Sequence, residues 1–316
     1  MSNLIPAFLP QPEALKPQIK IVTIGEFMAM EIPPREEILS PVFLTQSLNM
    51  AHAYRGIGKT HIALGMAYAV ASGGKFLKWT APKPRRVLYL DGEMPACALQ
   101  SRLAAIVGSA ETEPPSPDYL TLLTPDLQPR GIPDLSTTEG QRLLEPYLKD
   151  IEFLIVDNLS CLCRTGREND AEGWATVQGW ALQQRSAGRS ILFIHHSGKG
   201  GGQRGTSKKE DLLDTVLGLK RPADYETEQG ARFEVHYEKA RHLFGDDSKP
   251  FEAALRTDDG GMQWTFRDVA DATMDRVVSL FKEGLSQTEI ANELGVNRST
   301  VCRAVKRAKN DGMLTK

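Results

Sequence analysis

Five short runs of apolar residues recur along the first two thirds of the chain: Leu48–Tyr54, Arg86–Asp91, Tyr119–Leu123, Glu152–Asp157 and Ser190–His195. Runs such as RVLYLD, EFLIVD and SILFIH hardly alternate with polar residues. That pattern suits strands buried on both faces of a parallel sheet. Between them lie stretches with helical spacing, at Lys59–Ala71, Pro95–Val107, Glu139–Leu148 and Ala171–Ser186. Strands alternating with helices predict an α/β domain. After Gly205 the pattern changes, and Thr215–Lys220, Arg232–Lys239 and Phe251–Arg256 read as antiparallel strands closing the sheet. Residues 1–45 are Pro-rich and weakly periodic and read as an extension wrapping the domain that follows. Residues 46–256 form the expected α/β domain, 257–271 a hairpin and linker, and 272–316 a helical module.

The helical module carries its own apolar pattern. Val277, Val278, Leu280 and Phe281 mark one face of a first helix, and Ile290, Ala291, Leu294, Val296, Val301 and Val305 fall at core spacings in two more. Ser286 and Glu289 predict a capping box opening the second helix. Gly295 makes the turn, and Asn297 is placed to cap the third. Short helix, glycine turn and basic helix is the helix-turn-helix arrangement. Arg298, Ser299, Thr300 and Arg303 sit early in the third helix, where base edges are met. Lys306, with Arg307 and Lys309, is placed for phosphates or solvent.

Charge supports that reading. The whole chain carries a net −2. From Asn297 to Lys316 there are six basic residues and one acid, a local +5 that leaves −7 for the other 296 residues. DNA is therefore the expected partner, through the C-terminal end. Cys97, Cys161, Cys163 and Cys302 match neither a zinc spacing nor a disulfide framework. Cys161-x-Cys163 is a weak metal signal beside the plainer reading of two small residues after a buried strand. No apolar run reaches the ~18 residues of a membrane span, and the N-terminus lacks a signal-peptide pattern. A reduced, cytoplasmic protein is expected, with no membrane partner.

The chemistry concentrates at strand ends. Ala53-Tyr54-Arg55-Gly56-Ile57-Gly58-Lys59-Thr60 lies between a strand and a helix and fits G-x-x-x-x-G-K-[ST] everywhere except at Ala53. Gly56 and Gly58 let backbone N–H groups curl around phosphates. Lys59 is expected to reach the β- and γ-phosphates of ATP, and Thr60 to ligate Mg²⁺. Asp157 ends the strand EFLIVD, where a carboxylate binds Mg²⁺. Asp91 and Glu93 follow the strand after the phosphate loop. Either can serve as the base for the attacking water, with Glu93 the candidate and Asp91 its rival. Either can equally cap the helix start near Pro95. His195 and His196 end a further strand, where a polar side chain can sense the γ-phosphate. The following SGKGGGQRG loop, basic through Lys199 and Arg204, reads as a DNA or subunit contact, or as a merely flexible segment.

Taken together, RGIGKT, LDGEM, LIVDNLS, REND, FIHHSGKG and QRGTS resemble the RepA-like branch of RecA-fold ATPases, which includes plasmid-encoded hexameric replicative helicases. The likeness runs from about Pro33 to Gly245. It implies ATP and Mg²⁺ as ligands, Lys59 and Thr60 at the nucleotide, Glu93 as catalytic base, Asp157 at the metal and His196 as sensor. It also implies that Lys239-Ala240-Arg241 is a K-x-R pair inserted into a neighbour's site, with Arg241 the arginine finger and Lys239 assisting. A solvated basic strand edge is the plainer reading of that pair. The implied assembly is a homo-oligomeric ring, a hexamer by resemblance. Two functions follow: a ring-forming DNA helicase of a mobile element, or an ATP-controlled DNA-binding regulator that does not unwind.

Overall fold

The computed structural model describes residues 19–164, 171–197, 211–258 and 261–314. Two compact units divide the chain at Pro34/Arg35. In the first, helix α1 (Ile24–Met28) starts with a capping box between Thr23 and Glu26. The second unit opens with strands β1 (Glu37–Leu39) and β2 (Phe43–Leu44), paired antiparallel. Ile38, Leu39, Val42 and Phe43 are fully buried there, and the Phe43 ring lies 5.8 Å from that of Phe153. The last residues of the expected extension, from Ile38 to Phe43, thus contribute to the core. Its apolar run EILSPVFL needs burial, and the domain supplies it.

The strand and helix runs then follow in the expected order: β3 (Leu48–Ala53), α2 (Lys59–Ser72), β4 (Lys75–Phe76), β5 (Trp79–Thr80), β6 (Val87–Asp91), α3 (Ala96–Ser109), β7 (Leu120–Leu123), α4 (Thr138–Leu144), β8 (Phe153–Asp157), α5 (Leu159–Leu162), α6 (Ala171–Ser186) and β9 (Ser190–His196). The small hairpin β4–β5 was not readable, because two-residue strands carry no periodicity. The helix expected to reach Leu148 stops at Leu144, and Glu145–Tyr147 tightens into a 3-10 turn. Pro146 has no N–H to continue the α-helix.

After β9 come β10 (Thr215–Lys220), β11 (Arg232–Ala240), β12 (Phe251–Asp258) and β13 (Gly261–Asp268), then α7 (Val269–Lys282), α8 (Gln287–Glu293) and α9 (Arg298–Asn310). The large sheet has nine strands among the described residues, in the order β13-β12-β11-β10-β3-β9-β8-β6-β7. Neighbours from β10 to β7 are parallel, and β10 through β13 are antiparallel. Counted from the phosphate-loop strand, the parallel part runs third, second, fourth, fifth, first, sixth. Residues 257–271, expected as hairpin and linker, contribute the sheet's edge strand β13. Helix α7 begins immediately after it, so no coil separates the two modules.

Apolar residues of α2 and α3 cover one face of this sheet, and those of α4, α5 and α6 the other. Helix α2 is buried nearly all round. At Gly65 it passes so close to the Phe76 ring that a Cβ would lie 2.2 Å from it. The C-terminal helices have a separate core of Val277, Ile290, Val301, Val305 and their neighbours. Among the described residues, no helix is long and apolar enough to cross a membrane.

Candidate active site

The carboxyl ends of β3, β6, β8 and β9 meet at one edge of the sheet, the edge where α/β proteins bind ligands. A cleft of about 480 Å³ opens there, lined by the phosphate-loop residues Arg55, Gly56, Gly58, Lys59 and Thr60 and by Asp91, Glu93, Asp157 and His196. Residues more than a hundred positions apart in sequence thus converge. Ala53, the departure from the full glycine pattern, is the last residue of β3 and pairs with His196 and Leu219. Extended backbone accepts a Cβ, so glycine is not needed at that point. The unusual dihedrals fall on Gly56, φ 77°, and Gly58, φ 120°. A side chain at Gly58 would also meet Ala231 and Phe233 within 3.2 Å. Tyr54 is exposed, and Ala53 and Ile57 are buried in the core and anchor the loop.

Lys59 is folded back in its own loop, its Nζ donating to the carbonyls of Ala53 at 3.0 Å and Tyr54 at 2.9 Å. Burial lowers its pKa to about 8, opposed by the negative charges of Asp157 and Glu93. Asp157 is 4% exposed. Burial raises its carboxyl to about 6, against hydrogen bonds from Tyr89 and Thr60. Tyr89 Oη donates to Asp157 Oδ2 at 2.5 Å. The Thr60 hydroxyl and the Asp157 carboxylate therefore lie within reach of each other. This donor set of hard oxygens, one of them an under-neutralised carboxylate, fits Mg²⁺.

The two rival carboxylates separate clearly. Asp91 is turned into the protein and 1% exposed. It accepts from the backbone N–H groups of Glu93 and Met94 and from the Thr124 hydroxyl, at 3.2–3.3 Å. Its bonds cap the turn ahead of α3. The Glu93 side chain is 62% exposed and stands in the cleft, 3.9 Å from His196 Nε2. Asn158 Nδ2 donates to Glu93 Oε2 at 2.7 Å. Asn158, Tyr89, Arg102 and His61 were missed in the sequence. Asn158 follows a motif residue, but nothing in its local pattern announces a partner 65 positions away. His61 lines the same cleft, and burial lowers its pKa to about 4, helped by Arg102.

Lys239 and Arg241 are not in this cleft. Ala240, between them, pairs with Thr215 at the start of β10, which in turn pairs with Asn49 early in β3. They lie at the opposite edge of the sheet, where both side chains donate to the Asp211 carbonyl, at 3.4 and 2.8 Å. Neither can reach the phosphate loop of its own chain. Lys199, Arg204 and the REND motif lie outside the described residues. Cys161 lies in α5 and Cys163 just after it, and neither is in a disulfide.

In the C-terminal module the Ser286–Glu289 capping box is present. Asn297 takes the N-cap backbone position of α9 without a side-chain bond. Arg298, Ser299, Arg303 and Lys306 are exposed on α9, and Thr300 is half-buried. Arg307 is likewise exposed, and pairs at the surface with Asp271 of α7 at 2.9 Å and with Asp311.

A loop with two positive-φ glycines and an ammonium at a helix start suits a polyphosphate, and the carboxylates opposite suit its hydrolysis. Together they mark the class of P-loop ATPases, here joined to a helix-turn-helix module. The chain belongs to the AAA domain family, whose model matches residues 10–202, well over half of its length. Residues 276–314 match the homeodomain-like domain family. Among solved structures, the chain is similar to a KaiC-like protein from the hyperthermophilic archaeon Pyrococcus horikoshii OT3. That match has 12% identity and a TM-score of 0.47, and covers 72% of this chain and 93% of the other.

Proposed function

We propose that the protein is a ring-forming ATPase of the RepA-like type that acts on DNA as a replicative helicase of a mobile element. The observation that carries this reading is the convergence of Lys59, Thr60, Glu93, Asp157 and His196 on one cleft, in a chain that ends in a basic helix-turn-helix. Entering phosphates replace the Ala53 and Tyr54 carbonyls as partners of Lys59. Thr60 and Asp157 hold Mg²⁺, which supplies charge neutralisation at the phosphates when bound. Asn158 fixes one oxygen of Glu93, leaving the carboxylate aimed to take a proton from the attacking water. His196, at the tip of β9, stands close enough to Glu93 to respond to the γ-phosphate.

The position of Lys239 and Arg241 supports action in trans, since the far edge of the sheet is useless in cis. An arginine placed by a neighbour stabilises transition-state charge by about 10³–10⁵ in rate. Such a site is complete only in an oligomer, which supports the ring.

The rival, an ATP-controlled DNA-binding regulator, is favoured by one observation. A helix-turn-helix reads duplex DNA, whereas strand separation needs contacts to single strands. Strand displacement of a forked duplex, measured together with DNA-stimulated ATP hydrolysis, separates the two. ATP-dependent displacement is expected. Hydrolysis and duplex binding without displacement would leave the regulator.

A further inference from the structure

The loop joining β10 to β11, residues 221–231, touches both the phosphate loop and the helix-turn-helix. At its start, Arg221 Nη2 donates to the Gly56 carbonyl at 2.7 Å, and Nη1 donates to the carbonyls of Gly230 and Arg232 at 2.8 Å. The same guanidinium stacks on Tyr225, 3.5 Å from the ring centroid, and the Tyr225 hydroxyl donates to Gly230 at 3.0 Å. Arg221 thus ties the two ends of the loop together while gripping the phosphate loop. The loop's other end makes a second touch, since a Cβ on Gly58 would lie 3.1 Å from that of Ala231.

From the middle of this loop, Asp224 accepts Arg232 Nη2 on both carboxylate oxygens at 3.0 Å, and its Oδ2 lies 2.9 Å from Arg276 Nε as an ion pair without hydrogen-bond geometry. Arg276 belongs to α7, the first helix of the DNA-binding module. Its guanidinium also pairs with Glu252 and lies 3.6 Å from Glu234. Glu252, 4% exposed, accepts further from Arg232 and Arg267 at 3.2 and 3.1 Å. Charges this deep are tolerated only while paired, and removing one partner strands the others. The network therefore has few alternative arrangements. Asp224 is the partly exposed outer member of this network, and a shift of it changes the pairing that Arg276 divides between Asp224 and Glu252.

We propose that the 221–231 loop couples the two sites within one chain. Phosphates entering the 53–60 loop reorient Gly56 and so displace Arg221, and Asp224 passes that displacement through Arg276 to the helix-turn-helix. Nucleotide then sets the affinity for DNA, and DNA sets the affinity for nucleotide by the same factor. The coupling rests on the reading of the two sites as nucleotide and DNA sites.

The test uses the full chain, a short fluorescent duplex of mixed sequence, and Mg²⁺ with a non-hydrolysable ATP analogue. For the wild type, duplex affinity with and without the analogue is expected to differ by about fivefold or more, and analogue affinity with and without duplex by the same factor. Asp224→Asn keeps the shape and one acceptor oxygen but removes the charge through which the loop pairs with Arg276. Arg221→Gln breaks the grip at the other end. Each variant is expected to stay folded at the assay temperature, with some loss of thermal stability, to bind both ligands, and to bring the ratio near one. A ratio of one in the wild type, or wild-type ratios in both folded variants, overturns the coupling. A wild type that binds no nucleotide, or no duplex, fails earlier. That outcome overturns the reading of the sites and the coupling with it.

Discussion

Asp91 and Glu93 stand two residues apart at the end of one strand, yet their surroundings divide the work. Asp91 spends its oxygens on backbone N–H groups and Thr124, whereas Glu93 projects into the cleft under the hand of Asn158. Glu93→Gln keeps shape and hydrogen bonding but loses the proton acceptor. Nucleotide is expected to bind with near-wild-type affinity while turnover falls about 10²-fold or more. Equilibrium binding of a fluorescent nucleotide and steady-state phosphate release give the two numbers, and unchanged turnover would return the role to Asp91. Asn158→Ala is expected to lower turnover by about tenfold with little change in binding, because it misplaces the base without removing it. A second residue effect belongs to folding. Glu238 reaches the buried His52, its Oε2 2.7 Å from Nε2, and the Ser197 hydroxyl lies 2.8 Å from Nδ1. The hydrogen bond to His52 is the main reason its carboxyl is held down at about 2, against an ordinary 4.5. A depressed carboxyl stabilises the fold fully above pH 4.5, and that contribution fades as pH falls towards 2. Glu238→Gln should therefore cost about 1 kcal/mol at neutral pH after allowing for solvent screening. Urea titrations at stepwise lower pH should show the gap between variant and wild type closing.

At the scale of elements, the strands and helices were readable because their hydrophobic patterns are long and unbroken. Buried parallel strands such as RVLYLD and EFLIVD leave little choice, and their ends carried the site residues with them. The phosphate loop, Asp157 and His196 could be found because chemistry at strand ends repeats a spatial rule. What stayed hidden depends on contacts between distant segments. The core role of Ile38 and Phe43 and the reach of Asn158 to Glu93 have no local signature. The helix-turn-helix was readable because its core spacing, capping box and glycine turn are all local. Its exposed basic residues give a prediction at the same scale. Lys306→Ala removes one cation from the face of α9 opposite its buried Val301 and Ala308. Duplex affinity should weaken evenly across sequences, and the slope of log affinity against log salt should shrink by about one. Fluorescence anisotropy over a salt series reads it, and an unaltered slope would place Lys306 away from the phosphates.

For the whole molecule, the cleft and the Lys239-Ala240-Arg241 pair stand at opposite edges of the sheet. The cleft lies at the carboxyl ends of the parallel strands, and Lys239 and Arg241 lie at the other end of β11. If they complete a neighbour's site, Arg241→Ala and Lys59→Ala each lose nearly all activity alone. Mixed under conditions of subunit exchange, some interfaces pair a sound loop with a sound finger, and activity should partly return. No recovery despite co-assembly would count against a shared site, and full activity of Arg241→Ala alone would reduce the residue to a surface charge. All of this presupposes that the cleft hydrolyses ATP. The most direct check is phosphate release from MgATP by the wild type and Lys59→Ala, with and without DNA. The wild type should turn over, faster with DNA, and Lys59→Ala should lose nearly all of that rate. A Lys59→Ala protein that keeps half the wild-type rate would contradict the assignment of the cleft.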